Sequence, residues 1–184
     1  MAQLDANKWV TAYSDMLYRY ALPRVNDGDI AKDLVQETFL AAWRNHDKFK
    51  GEISEKNWLF TILKNKIIDH YRKASTRLTE GLPDNTNDPY FDGEEHWTQQ
   101  AGPQDWGMDY TQPVEKKEFY EILSKCKSKL KDIQAAVFSM KYLDGLDSEQ
   151  ICKELNISAS NFWVLMHRAK LGLRACLEKN WIGK

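Results

Sequence analysis

Apolar residues recur at helical spacing at both ends of this 184-residue chain and stop recurring in between. Trp9, Tyr13, Met16, Leu17 and Tyr20 fall on one 3.6-residue stripe, and Trp58, Leu59, Ile62, Leu63 and Ile67 on another. Beyond position 113, Phe119, Ile122, Leu123, Cys126 and Leu130 form a third stripe, and Ile133, Ala136, Val137 and Met140 a fourth. No segment alternates apolar and polar residues in the two-residue period of a strand. The interval 79–113 holds four of the five prolines and four of the nine glycines, among acids and isolated aromatics. This pattern predicts an all-α protein of two small helical domains, residues 8–78 and 114–181, joined by an irregular linker over 79–113. Trp97 and Trp106 argue against a freely solvated linker, since aromatics are scarce in disordered chain.

The formal net charge of −1 hides a strong asymmetry. Residues 1–78 carry 13 Lys and Arg against 10 Asp and Glu, and residues 119–184 carry 11 against 7. The stretch 79–118 carries only Lys116 and Lys117 against 10 acids. Two mildly basic ends flanking an acidic middle fit nucleic-acid contact better than the average does. No apolar run is long enough to span a bilayer, and positions 1–9 have no signal-peptide core, so a cytoplasmic protein without a membrane partner is expected. Three cysteines, Cys126, Cys152 and Cys176, show no metal-finger spacing. They predict a reduced compartment, no disulfide framework and no metal site.

Local signals place the helix boundaries. Pro23 ends or kinks the first helix, and 26–29 reads as a turn with Asp29 as the cap of a helix running to about Asn45. Residues 46–52 read as a loop, and Ser54 caps a helix that continues to about Arg72. After a turn at 142–146, Ser148 caps a short helix through Leu155. A second tight turn at 156–158 leads into a last helix from Ala159 to about Lys179. A short helix, a three-residue turn and a longer helix make a helix-turn-helix, which puts the first turns of its second helix in the DNA major groove.

On the helix after Gly28, Asp33, Gln36 and Glu37 share one face, with Leu40 extending it. Spacing alone fits a solvated face as well as a docking surface for a basic partner. The segment Asp33-Leu34-Val35-Gln36-Glu37-Thr38-Phe39-Leu40-Ala41-Ala42-Trp43, with Trp58-Leu59-Phe60-Thr61-Ile62 and Lys64-Asn65-Lys66-Ile67-Ile68-Asp69-His70-Tyr71-Arg72-Lys73, resembles conserved region 2 of the sigma-70 family, in its extracytoplasmic-function branch. Asp144-Gly145-Leu146-Asp147-Ser148-Glu149-Gln150-Ile151-Cys152-Lys153-Glu154-Leu155-Asn156-Ile157-Ser158, followed by Met166-His167-Arg168-Ala169-Lys170, resembles sigma region 4. The two motifs stand in that family's order at about its usual separation.

The resemblance implies a transcription-initiation factor. Asp33, Gln36, Glu37 and Leu40 would dock on the clamp helices of the RNA polymerase β′ subunit, with a further contact to the β flap. Phe49, Lys50, Gly51, Glu52 and Ser54, with Asn57, Lys64, Asn65, Tyr71 and Arg72, would capture and hold the opened minus-ten element. That mixture of stacking faces, amides and cations suits unstacked single-stranded bases. Trp58 lies on the apolar stripe and reads as core. Ser158, Ser160, Asn161, Trp163, Val164, His167, Arg168 and Lys170 would read the minus-thirty-five element. Trp163 departs from most relatives, which have Lys or Arg there, and so removes a phosphate contact that the resemblance would otherwise imply. The acidic linker fits a solvated connector as well as one that threads the basic cleft of polymerase, and an anti-sigma factor is an expected partner.

Three other readings stay in view. Asp33 with Glu37, or Asp69 with His70, could serve as an acid–base pair, but no nucleophile or phosphate-loop motif accompanies them, so no enzyme and no cofactor are expected. Cys126, Cys152, Cys176 and His167 could sense a metal, although Cys126 and Cys152 sit on apolar stripes as small hydrophobes do. A repressor acting without polymerase would use the same helix-turn-helix.

Overall fold

The computed structural model of the chain describes residues 6–79 and 113–182. Among them are seven α-helices and no strand: α1 Ala6–Val25, α2 Gly28–Arg44, α3 Glu55–Thr79, α4 Pro113–Lys127, α5 Asp132–Tyr142, α6 Ser148–Leu155 and α7 Ala159–Leu177. A single 3-10 turn, His46–Lys48, follows α2, and a π-turn, Glu178–Ile182, follows α7. The expected linker lies almost wholly outside the described residues.

Pro23 sits inside the last turn of α1, which ends two residues later. Asn26 then takes a left-handed φ of 57°, the usual way to turn a chain out of a helix. The cap of α2 is Asp27, not Asp29. Asp27 has extended backbone and accepts from the Asp29 and Ile30 amides, while Asp29 is already helical and pairs with Lys32. The cap of α6 is likewise Asp147, one residue before the expected Ser148. Its carboxylate accepts from the Gln150 amide, and the Gln150 side chain returns a bond to the Asp147 amide. Ser54 opens α3 as expected, its Oγ accepting from the Asn57 amide. That helix runs to Thr79, seven residues past the predicted end. At the helix-turn-helix, Asn156 ends α6 in left-handed conformation and Ser158 caps α7 through the Asn161 amide.

The first three helices pack on one another, and α4, α5 and α6 all pack on α7 or on one another. The two sets are not separate. Helix α5 packs on both α1 and α3, and α6 packs on α3. One apolar core therefore runs from Trp9, Leu17, Leu59 and Leu63 through Met140 and Ile151 to Phe162 and Met166. A smaller cluster holds Cys126, Leu173 and Leu177. Within it Cys126 and Cys176 form a disulfide with Cα atoms 5.6 Å apart, against the expectation of unbridged thiols. The pairing was invisible in the sequence because 50 residues separate the two, and only the packing of α4 on α7 brings them together. Gly172 on α7 faces Leu130, in the connection after α4, closely: a Cβ there would lie 3.0 Å from the Leu130 side chain, which would have to shift.

Candidate nucleic-acid interface

Helix α2 divides cleanly into two faces. Ala31, Leu34, Val35, Thr38 and Ala42 are buried, and Thr38 satisfies its hydroxyl by donating to the Leu34 carbonyl at 2.7 Å. Asp33, Gln36, Glu37 and Leu40 all lie on the exposed side. Leu40 is 56% exposed, and Trp43, one turn further along the same face, is 59% exposed. Trp43 was not among the predicted site residues, although its i+3 spacing from Leu40 was readable. Its ring stacks on His46 at 5.7 Å, so the large apolar surface is held in place. Two exposed apolar residues beside three polar ones make a surface that gains by being covered. Glu37 bridges to Lys66 on α3 at 3.0 Å, linking this face to the next.

The loop before α3 is pinned by Phe49, whose ring packs against Trp58 at 5.0 Å, while Trp58 meets Trp9 edge-on at 6.0 Å. Trp58 is thus half-buried packing, as expected. Gly51 turns the loop with φ +73°, and Lys50, Glu52, Ile53 and Ser54 project from it exposed. Along α3, Asn57, Lys64 and Asn65 are exposed. Tyr71 is a correction. It was expected to offer a stacking face, but it is 3% exposed and its hydroxyl donates to the Arg24 carbonyl at 2.6 Å. Burial pushes that phenol well above its usual range. Tyr71 falls on the buried stripe with Leu63 and Ile67, and that periodicity wins over its polar tip.

In the carboxy-terminal pair, α6 buries Ile151 and Leu155, and α7 buries Phe162, Leu165, Met166 and Ala169. The first turn of α7 faces outward: Ser158 and Ser160 are exposed, their hydroxyls 3.1 Å apart, and Asn161 is half-exposed. Trp163 is 62% and Val164 44% exposed. Further along, His167 and Arg168 are partly exposed, and the Lys170 ammonium lies 5.9 Å from the Tyr142 ring. Of the eight residues predicted here, Ser158 caps α7 and the other seven lie along it, with its first turn open to a partner. Among the described residues no three His, Cys, Asp or Glu side chains are placed to share a metal ion.

Sequence reading missed the contacts between the two halves. Arg24 on α1 donates through Nε and Nη2 to Asp144 Oδ1 at 2.9 and 2.6 Å, and Tyr20 donates to the same oxygen at 3.1 Å. The guanidinium lies 3.4 Å from the Tyr20 ring centroid. Burial pushes the Tyr20 phenol up to about 12. Arg72 donates to the Glu154 carbonyl through Nε and to its carboxylate through Nη2 at 3.0 Å. Lys127 on α4, 6% exposed, donates to the Pro23 carbonyl, and burial followed by the nearby Arg24 charge lowers its pKa to about 8. No local motif marks such partners, which lie 82 to 124 residues apart.

Residues 9–77 match the family model for Sigma-70 region 2, and residues 120–173 that for Sigma-70, region 4. A probable RNA polymerase sigma factor of Haemophilus influenzae is 40% identical over 163 residues, 87% of this chain and 83% of that protein. The ECF RNA polymerase sigma factors SigX and SigM of Bacillus subtilis are each 28% identical. They align over 90% and 91% of this chain and 80% and 91% of their own. Among solved structures, the sigma factor RpoE of Bartonella quintana, in complex with the anti-sigma factor NepR, is similar with a TM-score of 0.45 and 21% identity. That match covers 95% of this chain and 97% of that one. The chain belongs to the sigma-70 family, whose members are transcription-initiation factors and not enzymes. Within that family it is of the extracytoplasmic-function type.

Proposed function

We propose that this chain binds core RNA polymerase through the exposed face of α2, reads a minus-thirty-five element with α7, and helps open the minus-ten element with the 49–54 loop and α3. The observation that carries the reading is the stripe Asp33, Gln36, Glu37, Leu40 and Trp43. The opposite face of α2 is committed to the core, so this stripe is left with acids and uncovered apolar surface for a basic partner. Lys50, Lys64, Asn57 and Asn65 supply cations and amides for a single strand, with Phe49 at the loop's root. Ser160 and Asn161 are the groups for base edges, Arg168 and Lys170 those for phosphates, and Trp163 an apolar contact to a thymine methyl or sugar. The domain division 8–78 and 114–181 goes with this assignment, as do a contact of the second domain with the β flap and an anti-sigma partner. The site of action is the cytoplasm.

Run-off transcription with core polymerase on a panel of genomic promoters tests the reading. The wild-type chain should direct defined transcripts, and Glu37→Lys should weaken them by weakening core binding while leaving the helix content unchanged. A folded Glu37→Lys variant that binds core polymerase as tightly as wild type removes α2 from the assignment. A conventional repressor would bind duplex DNA without co-purifying with polymerase.

A further inference from the structure

Nothing in the function proposed above makes use of the Cys126–Cys176 bridge. In the cytoplasm thiol pools keep cysteines reduced, and the disulfides that do form there are mainly transient and redox-active. The two sulfurs are not equivalent. Cys126, in the last turn of α4, is 1% exposed and sits in the small cluster with Leu173 and Leu177. Cys176, one residue before the end of α7, is only half-buried. The Asn180 side chain, in the π-turn that follows, donates to the Cys176 carbonyl at 2.7 Å and to its Sγ at 3.4 Å. Helix carboxy-termini carry partial negative charge, which disfavours a thiolate in the last turn. A donor on Cys176 Sγ offsets that penalty at this sulfur. Cys152, on α6, is unbridged and packs against the main core.

We propose that Cys126 and Cys176 form a reversible thiol–disulfide modification site, with thiols as reductant, a hydroperoxide as oxidant, and Cys176 as the sulfur that exchanges. The proposal rests on the cytoplasmic reading above, which sets a thiol pool against the bridge. In reduction, a reductant thiolate attacks Cys176 Sγ, the bond between the two cysteines breaks, and Cys126 leaves as a thiolate that takes up a proton. A second reductant thiol then attacks the outer sulfur of the mixed disulfide and releases Cys176, which is protonated in turn. Two electrons and two protons pass to the protein, and the reductant leaves as a disulfide. In oxidation, the Cys176 sulfur takes one oxygen of the hydroperoxide and becomes a sulfenic acid, its proton leaving on the other oxygen. The Cys126 sulfur then attacks it, the S–S bond forms and water departs. The closed bridge spans a separation of 50 residues that contains α5 and α6, and it staples α4 to the end of α7. Asn161 lies on the same helix as Cys176 but about 22 Å away along its axis, at about 1.5 Å per residue. Oxidation therefore firms the domain while leaving the groups assigned to base edges in place.

The test uses the full chain, free of polymerase, with peptide-mapping mass spectrometry to place each sulfur. Hydrogen peroxide should convert the reduced chain to the Cys126–Cys176 form and raise its Tm by about 10 °C. Reduced glutathione and dithiothreitol should open the bridge in the folded chain. Opening by both supports the proposal with a monothiol partner, and opening by dithiothreitol alone supports it with a dithiol one. Under oxidised glutathione, Cys126→Ser should carry the adduct on Cys176, while Cys176→Ser should label at Cys126 on the order of tenfold more slowly. A bridge that resists both thiols in the folded chain overturns the proposal, as does a peroxide-treated chain with these two cysteines unpaired. Equal labelling of the two serine variants, with helix content intact by circular dichroism, overturns the assignment of Cys176 as the exchanging sulfur. If either serine variant loses helix, Asn180→Ala serves instead: it should slow opening of the bridge by glutathione, and an unchanged rate overturns the same assignment. Failure of the chain to direct transcription with core polymerase would count against the functional reading, leaving the thiol measurements to stand for the site.

Discussion

Lys127 gives the sharpest test of how the two halves are packed. Its ammonium is buried between α4 and the end of α1, where it donates to the Pro23 carbonyl, and its pKa falls from 10.5 to about 8. At 1.36 kcal/mol per unit, holding that charge in place costs about 3 kcal/mol at neutral pH, of which one hydrogen bond returns about 1. Lys127→Met, similar in length and without the charge, should therefore stabilise the chain by about 2 kcal/mol at pH 7.5. The sign with pH follows from the direction of the shift. The folded pKa lies below the unfolded one, so between about 8 and 10.5 the folded chain holds fewer protons than the unfolded chain. Stability then rises with pH through that window, by about 2 kcal/mol from pH 7.5 to 9.5, and the penalty is fully present below 8. Above pH 10 the opposite sign sets in from Tyr20 and Tyr71, whose raised folded values mean stability is lost as pH climbs. Measurements should stay below 9.5 for that reason. The assay is urea unfolding by far-ultraviolet circular dichroism at several pH values, wild type beside Lys127→Met. Parallel pH slopes in the two proteins would refute the placement of this lysine, as would a destabilised variant at pH 7.5.

Other substitutions probe the elements separately. Leu63→Ala removes a fully buried side chain from the shared core and should cost about 2–5 kcal/mol in the same unfolding assay. Asp147→Ala breaks the reciprocal cap of α6 and should cost about 1 kcal/mol, with Ser148→Ala near neutral; a reversed order would return the cap to Ser148. Asn161→Ala should cost about 1–3 kcal/mol of binding to the preferred minus-thirty-five duplex alone, measured by anisotropy against a scrambled duplex. Equal loss on both would show that this turn of α7 does not read sequence.

The helical period, the turn residues and the two motifs were all local, and local patterns were enough to determine an all-α chain, its main helices and its family. The exposed stripe on α2 was legible because i, i+3 and i+4 spacing alone puts Asp33, Gln36 and Glu37 together. Caps were legible only to within a residue or two, since Asp27 and Asp29, or Asp147 and Ser148, offer the same chemistry and backbone conformation chooses between them. Tyr71 was ambiguous for a different reason. A phenol suits both a core and a stacking face; the stripe it shares with Leu63 and Ile67 buries the ring, and the Arg24 carbonyl satisfies its hydroxyl there. What tertiary structure alone decided is everything that joins distant segments: the Cys126–Cys176 bridge, the buried Lys127, and Asp144 and Glu154 set against Arg24 and Arg72. Charges and thiols carry no periodicity that names a partner a hundred residues away. Their pairing becomes fixed only when apolar burial has brought the helices together, and in this chain that burial runs straight across the boundary between its two halves.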